Sequence, residues 1–423
     1  MKTEKDRRFW FERWGGWILI CVFVLIPIAW WFVIQPFDER FDTSSSSSIL
    51  LSFGRLAGLA GFMLYALNLV LSIRRHWLEN LFGGLNKVYT AHHLTGGIAL
   101  ILLLFHPFFF ALSYIELSVW ATIKDAATFL MPRAFDFNGD IYQLQDAAAV
   151  NSGIVAFLGM VVLLFIAFFV KLPYRIWVFI HKFLGVAFVF AGLHMVLIVS
   201  DVYNDNFLRY YYIAWTIIGL SAFVYRSLLG NIFIRRMPYR VINTGLMSGG
   251  VLQISLEPLA KQLNFKPGQF VFVRFLSAGR GIKKEPHPFS IASIPGEPNQ
   301  QVRFYIKALG DFTDSLKSLE MGTIAEIEGA FGRFIPARYA NTPQIWIAGG
   351  IGITPFLSIA RSFDATKPPV DMFYSVQTRA ELLDQKALAE YLPMYYPQFK
   401  YHSFVNEEQE GYMSAHYINE QAG

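Results

Sequence analysis

The chain has 423 residues, 54% of them hydrophobic and only 16% charged, against about 25% charged in a typical soluble domain, so a membrane protein is the first expectation. The net charge is a modest +5, and the basic residues gather at the ends of apolar runs, which fits membrane topology rather than a nucleic-acid-binding surface. Cys21 is the only cysteine and lies inside an apolar run, which excludes disulfides, iron–sulfur clusters and cysteine-based zinc sites within one chain.

Long apolar runs fill the chain to about residue 230 and then give way to ordinary soluble composition. A membrane domain over 1–236 followed by soluble domains is therefore expected. A spanning helix needs about 20 apolar residues, and six runs qualify, at roughly 15–36, 49–73, 90–114, 152–171, 175–200 and 209–229. The first follows a basic start (Lys2, Lys5, Arg7, Arg8, Arg13) and is too long and Trp-rich for a cleaved signal peptide, with no small-residue cleavage site after it. It is expected to be retained. The run Ser44–Ser48 reads as a flexible lead into the second span.

Charge sets the orientation. The amino terminus, Arg74/Arg75/Lys87, Lys171/Arg175 and Arg226/Arg235/Arg236 fall on one side of the bilayer. Asp38/Glu39/Asp42, the segment 115–150 and Asp201/Asp205 fall on the other. The excess of Lys and Arg marks the cytoplasmic side, so both termini and the soluble domains are expected there, with 115–150 as a large external loop.

Four histidines stand inside these spans: His92 and His106 in the third, His181 and His194 in the fifth. Ionisable residues are costly at bilayer depth and mark pathways or cofactors. The third and fifth spans run the same way, so His92 and His181 share a level near the cytoplasmic face. His106 and His194 share a level nearer the outside, about 20 Å away by helical rise. Two matched pairs predict two b-type haems, each held by two histidines, an arrangement that fills both axial sites of the iron and favours electron transfer. For a lone membrane histidine, interhelical hydrogen bonding is the simpler role. On a helical wheel His92 and His106 lie within about 40° of one another, which favours His92 over His93 as a ligand, whereas His181 and His194 lie roughly 140° apart. Tilt or irregularity near Gly185 and Gly192 is needed to repair that offset. Gly96, Gly97 and Gly185 follow the inner histidines and would leave room for a flat macrocycle. Arg55, near the outer end of the second span, is either a snorkelling interface residue or a partner for a haem propionate or an external acceptor.

The soluble half opens with short strands and turns: Val251–Leu256, Phe270–Phe275, Val302–Ile306 and Ile324–Glu328. They predict a small antiparallel β-barrel over 237–340. The strand Ile345–Ala348 then leads into Gly349-Gly350-Ile351-Gly352-Ile353-Thr354-Pro355, a helical run and a buried strand, Val370–Ser375. This is βαβ order, predicting an α/β nucleotide-binding domain over 341–423. Glycines at a helix start let a diphosphate approach backbone N–H groups; a plain strand-to-helix turn is the alternative.

Several of these segments carry a resemblance. His287-Pro288-Phe289-Ser290-Ile291-Ala292-Ser293, preceded by Lys266-Pro267-Gly268-Gln269-Phe270, resembles the flavin-binding motif of ferredoxin-reductase-type domains in NADPH oxidases and ferric reductases. Lys307-Ala308-Leu309-Gly310-Asp311-Phe312-Thr313 resembles the second flavin element of that family, and Glu328-Gly329-Ala330-Phe331-Gly332 its Glu-Gly-Pro-Tyr-Gly turn. Gly349–Pro355 is similar to its pyridine-nucleotide loop, and Ala91–Gly96 with the two histidine pairs to its membrane half. Over nearly its whole length the chain resembles the bacterial NADPH oxidase-like, ferric reductase-like transmembrane flavocytochrome b family.

The resemblance implies FAD and NADPH as further cofactors, with NADH as the other option. Phe289 would lie against the flavin ring and Ser290 near its reactive edge. His287 and Thr313 would contact the ribityl and phosphate region, with Pro288, Lys307 and Gly310 in the same elements. Gly349, Gly350, Gly352, Thr354 and Pro355 would meet the nicotinamide nucleotide. Ser375 and Arg379 fall in the segment that would read the adenosine 2′-phosphate. Gln377 stands where an Arg is common, and Arg379 either substitutes for it or is simply solvated. The implied activity is electron transfer from cytoplasmic NAD(P)H to an external acceptor in a bacterial inner membrane, with dioxygen, giving superoxide, as the first choice and a ferric chelate or a periplasmic partner as the alternative. The family continues into a Cys-Gly-Pro strand and a final aromatic residue. Here Gly411–Gln421 resembles the segment just before that strand, so the nucleotide domain is expected to be incomplete, and a haem-binding protein that no longer uses nucleotide is a further alternative.

Overall fold

A computed structural model of the chain describes residues 4–34, 46–113, 131–136, 140–276, 281–334, 342–409 and 411–422. The chain divides into two units, Met1–Phe233 and Ile234–Gly423.

The first unit is helical. Six helices are long and apolar enough to cross a bilayer: α1 (Glu4–Val33), α2 (Ser46–Leu71), α4 (Leu85–Leu112), α5 (Ile141–Phe169), α6 (Tyr174–Leu197) and α7 (Asn206–Phe223), with the short α3 (His76–Phe82) between α2 and α4. The six expected spans are all present, but two of the helices begin about three turns early, α1 at Glu4 and α5 at Ile141. Residues 141–150 belong to α5 rather than to a loop. The Asp140 carboxylate accepts from the Gln143 N–H at 2.9 Å and caps the helix, and Gln145 Nε2 donates to the Leu197 carbonyl at 2.7 Å. A polar first turn is invisible to a hydropathy count. Most of the expected external loop, 114–130 and 137–139, lies outside the described residues, as do Asp38, Glu39 and Asp42.

Inside a bilayer, packing and interhelical hydrogen bonds replace the drive that water gives to soluble cores. Helix α2 packs on α4, α5 on α6, and α7 on α2 and α6. Phe62 stacks on Phe188 with ring centres 5.2 Å apart. Tyr65 donates to the Leu184 carbonyl at 2.6 Å, and Tyr212 to that of Leu59 at 3.0 Å. Helix α1 is tied at its end by tryptophans: Trp31 Nε1 donates to Asp201 at 2.8 Å and Trp30 Nε1 to Asp205 at 3.1 Å.

The second unit begins with six antiparallel strands: β1 (Met237–Leu246), β2 (Val251–Pro258), β3 (Phe270–Phe275), β4 (His287–Ser290), β5 (Val302–Lys307) and β6 (Ile324–Phe331), in the order β4-β3-β6-β1-β2-β5. The two ends of the sheet approach one another just past β4, where Ala292 N–H donates to the Arg303 carbonyl at 2.8 Å. The result is the nearly closed barrel expected from the strand pattern. Alternate residues point inward: Leu252, Ile254 and Leu256 from β2, Val271, Val273 and Phe275 from β3, Val302, Phe304 and Ile306 from β5. Val251 and Tyr305, on the opposite face, join Ala292 in a second core with the following lobe.

That lobe holds a parallel sheet of β7 (Gln344–Gly349), β8 (Val370–Val376) and β9 (Phe399–Val405), in that order. Helix α8 (Asp311–Ser315) connects β5 to β6 within the barrel, α9 (Thr354–Arg361) lies between β7 and β8, and α10 (Ala415–Gln421) follows β9. Arg361 locks the two lobes together, donating to the Ala292 carbonyl at 2.7 Å while pairing with Asp384. Strand β7 lies at a sheet edge, with Ile345 and Ile347 51% and 53% exposed.

The barrel core sets the stability of this unit. Phe304→Ala removes a fully buried ring and should cost about 3–5 kcal/mol. Tyr239→Phe strips the buried Leu263 N–H of its acceptor, now 2.8 Å away, at about 1–3 kcal/mol. Both should lower the melting temperature of detergent-purified protein, Phe304→Ala the more; equal or unchanged melting would contradict this packing.

Candidate functional site

Helices α4 and α6 bring the four membrane histidines into two pairs. The rings of His92 and His181 lie 6.2 Å apart between centroids, and those of His106 and His194 6.4 Å apart. Pairing at two levels in chain order makes α4 and α6 parallel. Imidazole nitrogens bind metals at about 2.0–2.1 Å, so two rings facing each other across one ion have centres about 6 Å apart. Both separations therefore fit one iron between each pair.

The other ring nitrogen is anchored in three of the four. His106 Nδ1 lies 2.8 Å from the Gly54 carbonyl of α2, His194 Nδ1 2.9 Å from the Ala149 carbonyl of α5, and His92 Nδ1 3.1 Å from the Asn68 carbonyl of α2. A carbonyl oxygen only accepts, so Nδ1 carries the proton and Nε2 keeps the lone pair that binds metal. Asn68 is among the last four residues of α2, where carbonyls lack helical partners. Its side chain also donates to the His92 carbonyl and, at 3.0 Å, to Thr95 Oγ1. The His181 Nδ1 atom is buried without a hydrogen-bond partner, and its ring stacks on Trp177 at 4.8 Å.

The thirteen-residue offset on α6 does not need a break. The helix runs unbroken from Tyr174 to Leu197. His194 leans onto α5, whereas His181 lies back on Trp177 one turn earlier, so side-chain direction absorbs the difference. Two of the glycines expected to make room for a macrocycle serve helix contacts instead. A Cβ on Gly185 would fall 2.1 Å from the Phe223 ring, and one on Gly96 3.0 Å from Asn68 Nδ2. Gly97 alone faces open space.

Arg55 points at Asp201, with Nη1 3.4 Å from Oδ2, and its side chain is 43% exposed. Asp201 thus joins Arg55 of α2 and Trp31 of α1 at the end of the bundle nearest His106.

In the second unit, His287 opens β4 and stacks on Phe312 with ring centres 3.5 Å apart. Burial pulls its pKa below the ordinary histidine value, against the opposing pull of Glu285. Phe289 packs on the barrel core beside Phe304, 6.0 Å between centroids; Pro288 is exposed and Ser290 half-buried. Thr313 Oγ1 accepts from the Leu309 and Gly310 N–H groups at 3.0 and 3.1 Å and holds the turn into α8. Lys307 pairs with Glu381 of the nucleotide lobe at 2.8 Å.

Strand β7 leads through a tight 3-10 turn, Gly350–Ile353, into α9. A Cβ on Gly349, Gly350 or Gly352 would meet nothing within 4 Å, and Gly350 has φ +48°. The backbone of this turn is therefore open to a ligand, as a diphosphate requires. Thr354 is buried and donates to the Ile351 carbonyl at 2.7 Å, with Pro355 following it in the first turn of α9. Ser375 Oγ meets Asn406 Oδ1 at 3.1 Å. Arg379 is held by both carboxylate oxygens of Glu408 at 2.8 and 2.6 Å. Asn68, Glu381 and Glu408 take part in these sites without having been singled out in the sequence.

Comparison with known proteins divides the chain the same way. Residues 57–192 match the ferric reductase like transmembrane component, 236–330 an FAD-binding domain, and 346–422 an oxidoreductase NAD-binding domain. The chain is 28% identical over 165 residues to the anthranilate 1,2-dioxygenase electron transfer component of Acinetobacter baylyi, covering 38% of this chain and 46% of that protein. It is 28% identical over 238 residues to ferric reduction oxidase 8, mitochondrial, of Arabidopsis thaliana, covering 51% of this chain and 31% of the relative. Dual oxidase 2 of Rattus norvegicus is 29% identical over 136 residues, 30% of this chain and 9% of that one. The chain thus spans less than half the length of these relatives. Along its length the chain joins a ferric-reductase-like transmembrane component to an FAD-binding domain and an oxidoreductase NAD-binding domain.

Proposed function

We propose that this protein carries electrons from cytoplasmic NAD(P)H across the membrane to an external acceptor, with FAD and two b-type haems as its cofactors. Dioxygen, giving superoxide, is the acceptor of first choice. The observation that carries the proposal is the pair of ring separations, 6.2 and 6.4 Å, at two levels of one bundle. When bound, flavin would supply the conversion from two-electron hydride chemistry to single electrons, and haem the one-electron relay.

The chain's own residues hold and orient. His92 and His181 would ligate at the inner level, His106 and His194 at the outer, each with Nε2 toward the metal. The open backbone of Gly349, Gly350 and Gly352 would take the nucleotide diphosphate, with Thr354 and Pro355 fixing the start of α9. His287, Pro288, Phe289 and Ser290, with Lys307, Gly310 and Thr313, would line the flavin site, and Ser375 with Arg379 the adenosine end. Arg55 would stand at the outer level, where a propionate or an acceptor anion comes within reach. No side-chain nucleophile is required. With cytoplasmic soluble domains and a negative-inside potential, outward electron movement gains about 2.3 kcal/mol per 100 mV for a full crossing.

A ferric chelate is the second acceptor to consider, favoured by the ferric-reductase-like match over 57–192. Superoxide formation that persists in the presence of iron chelators separates the two.

Purified protein should contain two b-type haems per chain, reduced under anaerobic conditions by FAD with NADPH; haem-free protein would overturn the proposal. His194→Ala should leave one haem, the inner one, so a variant that keeps both would show the pairing to be wrong. Glu408→Gln should release Arg379 and raise the NADPH-over-NADH ratio of kcat/KM several-fold. An unchanged ratio would remove Arg379 from 2′-phosphate recognition.

A further inference from the structure

The two outer histidines are anchored by the same local device on two different helices. His106 reaches the carbonyl of Gly54, and the residue four further along α2 is Gly58. His194 reaches the carbonyl of Ala149, and the residue four further along α5 is Gly153. In an α-helix the side chain at each position leans back over the preceding turn, so the residue at the fourth position stands beside the carbonyl oxygen that accepts its N–H. A Cβ on Gly58 would lie 2.6 Å from His106 Nδ1, and one on Gly153 2.7 Å from His194 Nδ1. Both distances are far inside van der Waals contact. A ring that moved away to relieve this crowding would give up its hydrogen bond to the helical carbonyl.

We propose that Gly58 and Gly153 are positioning residues for the outer histidine pair. They are notches that admit Nδ1–H to a helical carbonyl, and so set both the direction and the donor strength of Nε2. This rests on the haem function proposed above. Hydrogen bonding at Nδ1 raises the basicity of a histidine ligand, and hydrogen bonding around an iron centre is one of the levers on its potential. A notch that is filled should therefore weaken ligation and raise the midpoint potential at the outer level alone. The inner level uses other means: the Asn68 carbonyl near the end of α2 for His92, and none for His181.

Crowding of the same severity without a histidine is available on the same helix pair. A Cβ on Gly61 would fall 2.8 Å from Leu103 Cγ. The test is a spectroelectrochemical titration, with low-temperature EPR and haem stoichiometry, of the full chain in detergent as unmodified protein, Gly58→Ala, Gly153→Ala and Gly61→Ala. The outer haem is identified as the one missing from His194→Ala. The expected result is an upward shift, or loss, of the outer haem alone in both Gly58→Ala and Gly153→Ala, with Gly61→Ala like the unmodified protein. Titrations of Gly58→Ala and Gly153→Ala that match the unmodified protein would overturn the proposal, and so would equal effects on both haems or an equal effect of Gly61→Ala. If the unmodified protein holds no haem, the haem function itself falls, an outcome distinct from these.

Discussion

In hydrocarbon a polar side chain has only the protein to bond to, and the backbone of a helix has already used its carbonyls. Three of the four paired histidines meet that constraint with a carbonyl from a neighbouring helix, and the positions of those helices follow from it. Helix α2 supplies carbonyls to two histidines, at Gly54 and Asn68, and α5 supplies one, at Ala149. These helices bear no histidine of the four, yet they determine which nitrogen of each anchored ring is left for metal. A metal-bound histidine is oriented through its far nitrogen, and here that orientation is written into the packing of α2 on α4 and of α5 on α6.

The second unit solves a different problem, keeping two lobes in one relation. The barrel uses both faces of its strands. One face fills its own core, while Val251 and Tyr305 on the other help to build the core of the nucleotide lobe. Arg361 and the Lys307–Glu381 pair cross the same boundary. A hydride donor and its acceptor must approach closely and in alignment, and a shared core is a stiffer way of arranging that than a linker. The glycine turn after β7 keeps its backbone clear of side chains, so that boundary is built without closing the nucleotide site.

Much of this was legible before the fold. Six spans, four of the six barrel strands and the first two strands of the nucleotide lobe follow from hydropathy and period-two alternation. The histidine pairs follow from two spacings and helical rise. What escaped was contact information. Residues 141–150 read as a loop because a polar capped turn carries no hydropathic signal. The wheel offset between His181 and His194 looked like a defect because a wheel records Cα azimuth and ignores side-chain direction. Gly96 and Gly185 looked like space for a cofactor, although each makes room for a neighbouring helix. The notches at Gly58 and Gly153 were hidden because their partners lie far away in sequence, and only the fold says which ring a glycine faces.

One histidine breaks the pattern. His181 has no carbonyl to hold its Nδ1 and relies on the face of Trp177. Stacking restricts the tilt of a ring but does not select which of its nitrogens carries the proton. Of the four rungs on this ladder it is the loose one. If the proposed haems are bound, heat or a competing ligand would therefore release the one between His92 and His181 before the one between His106 and His194.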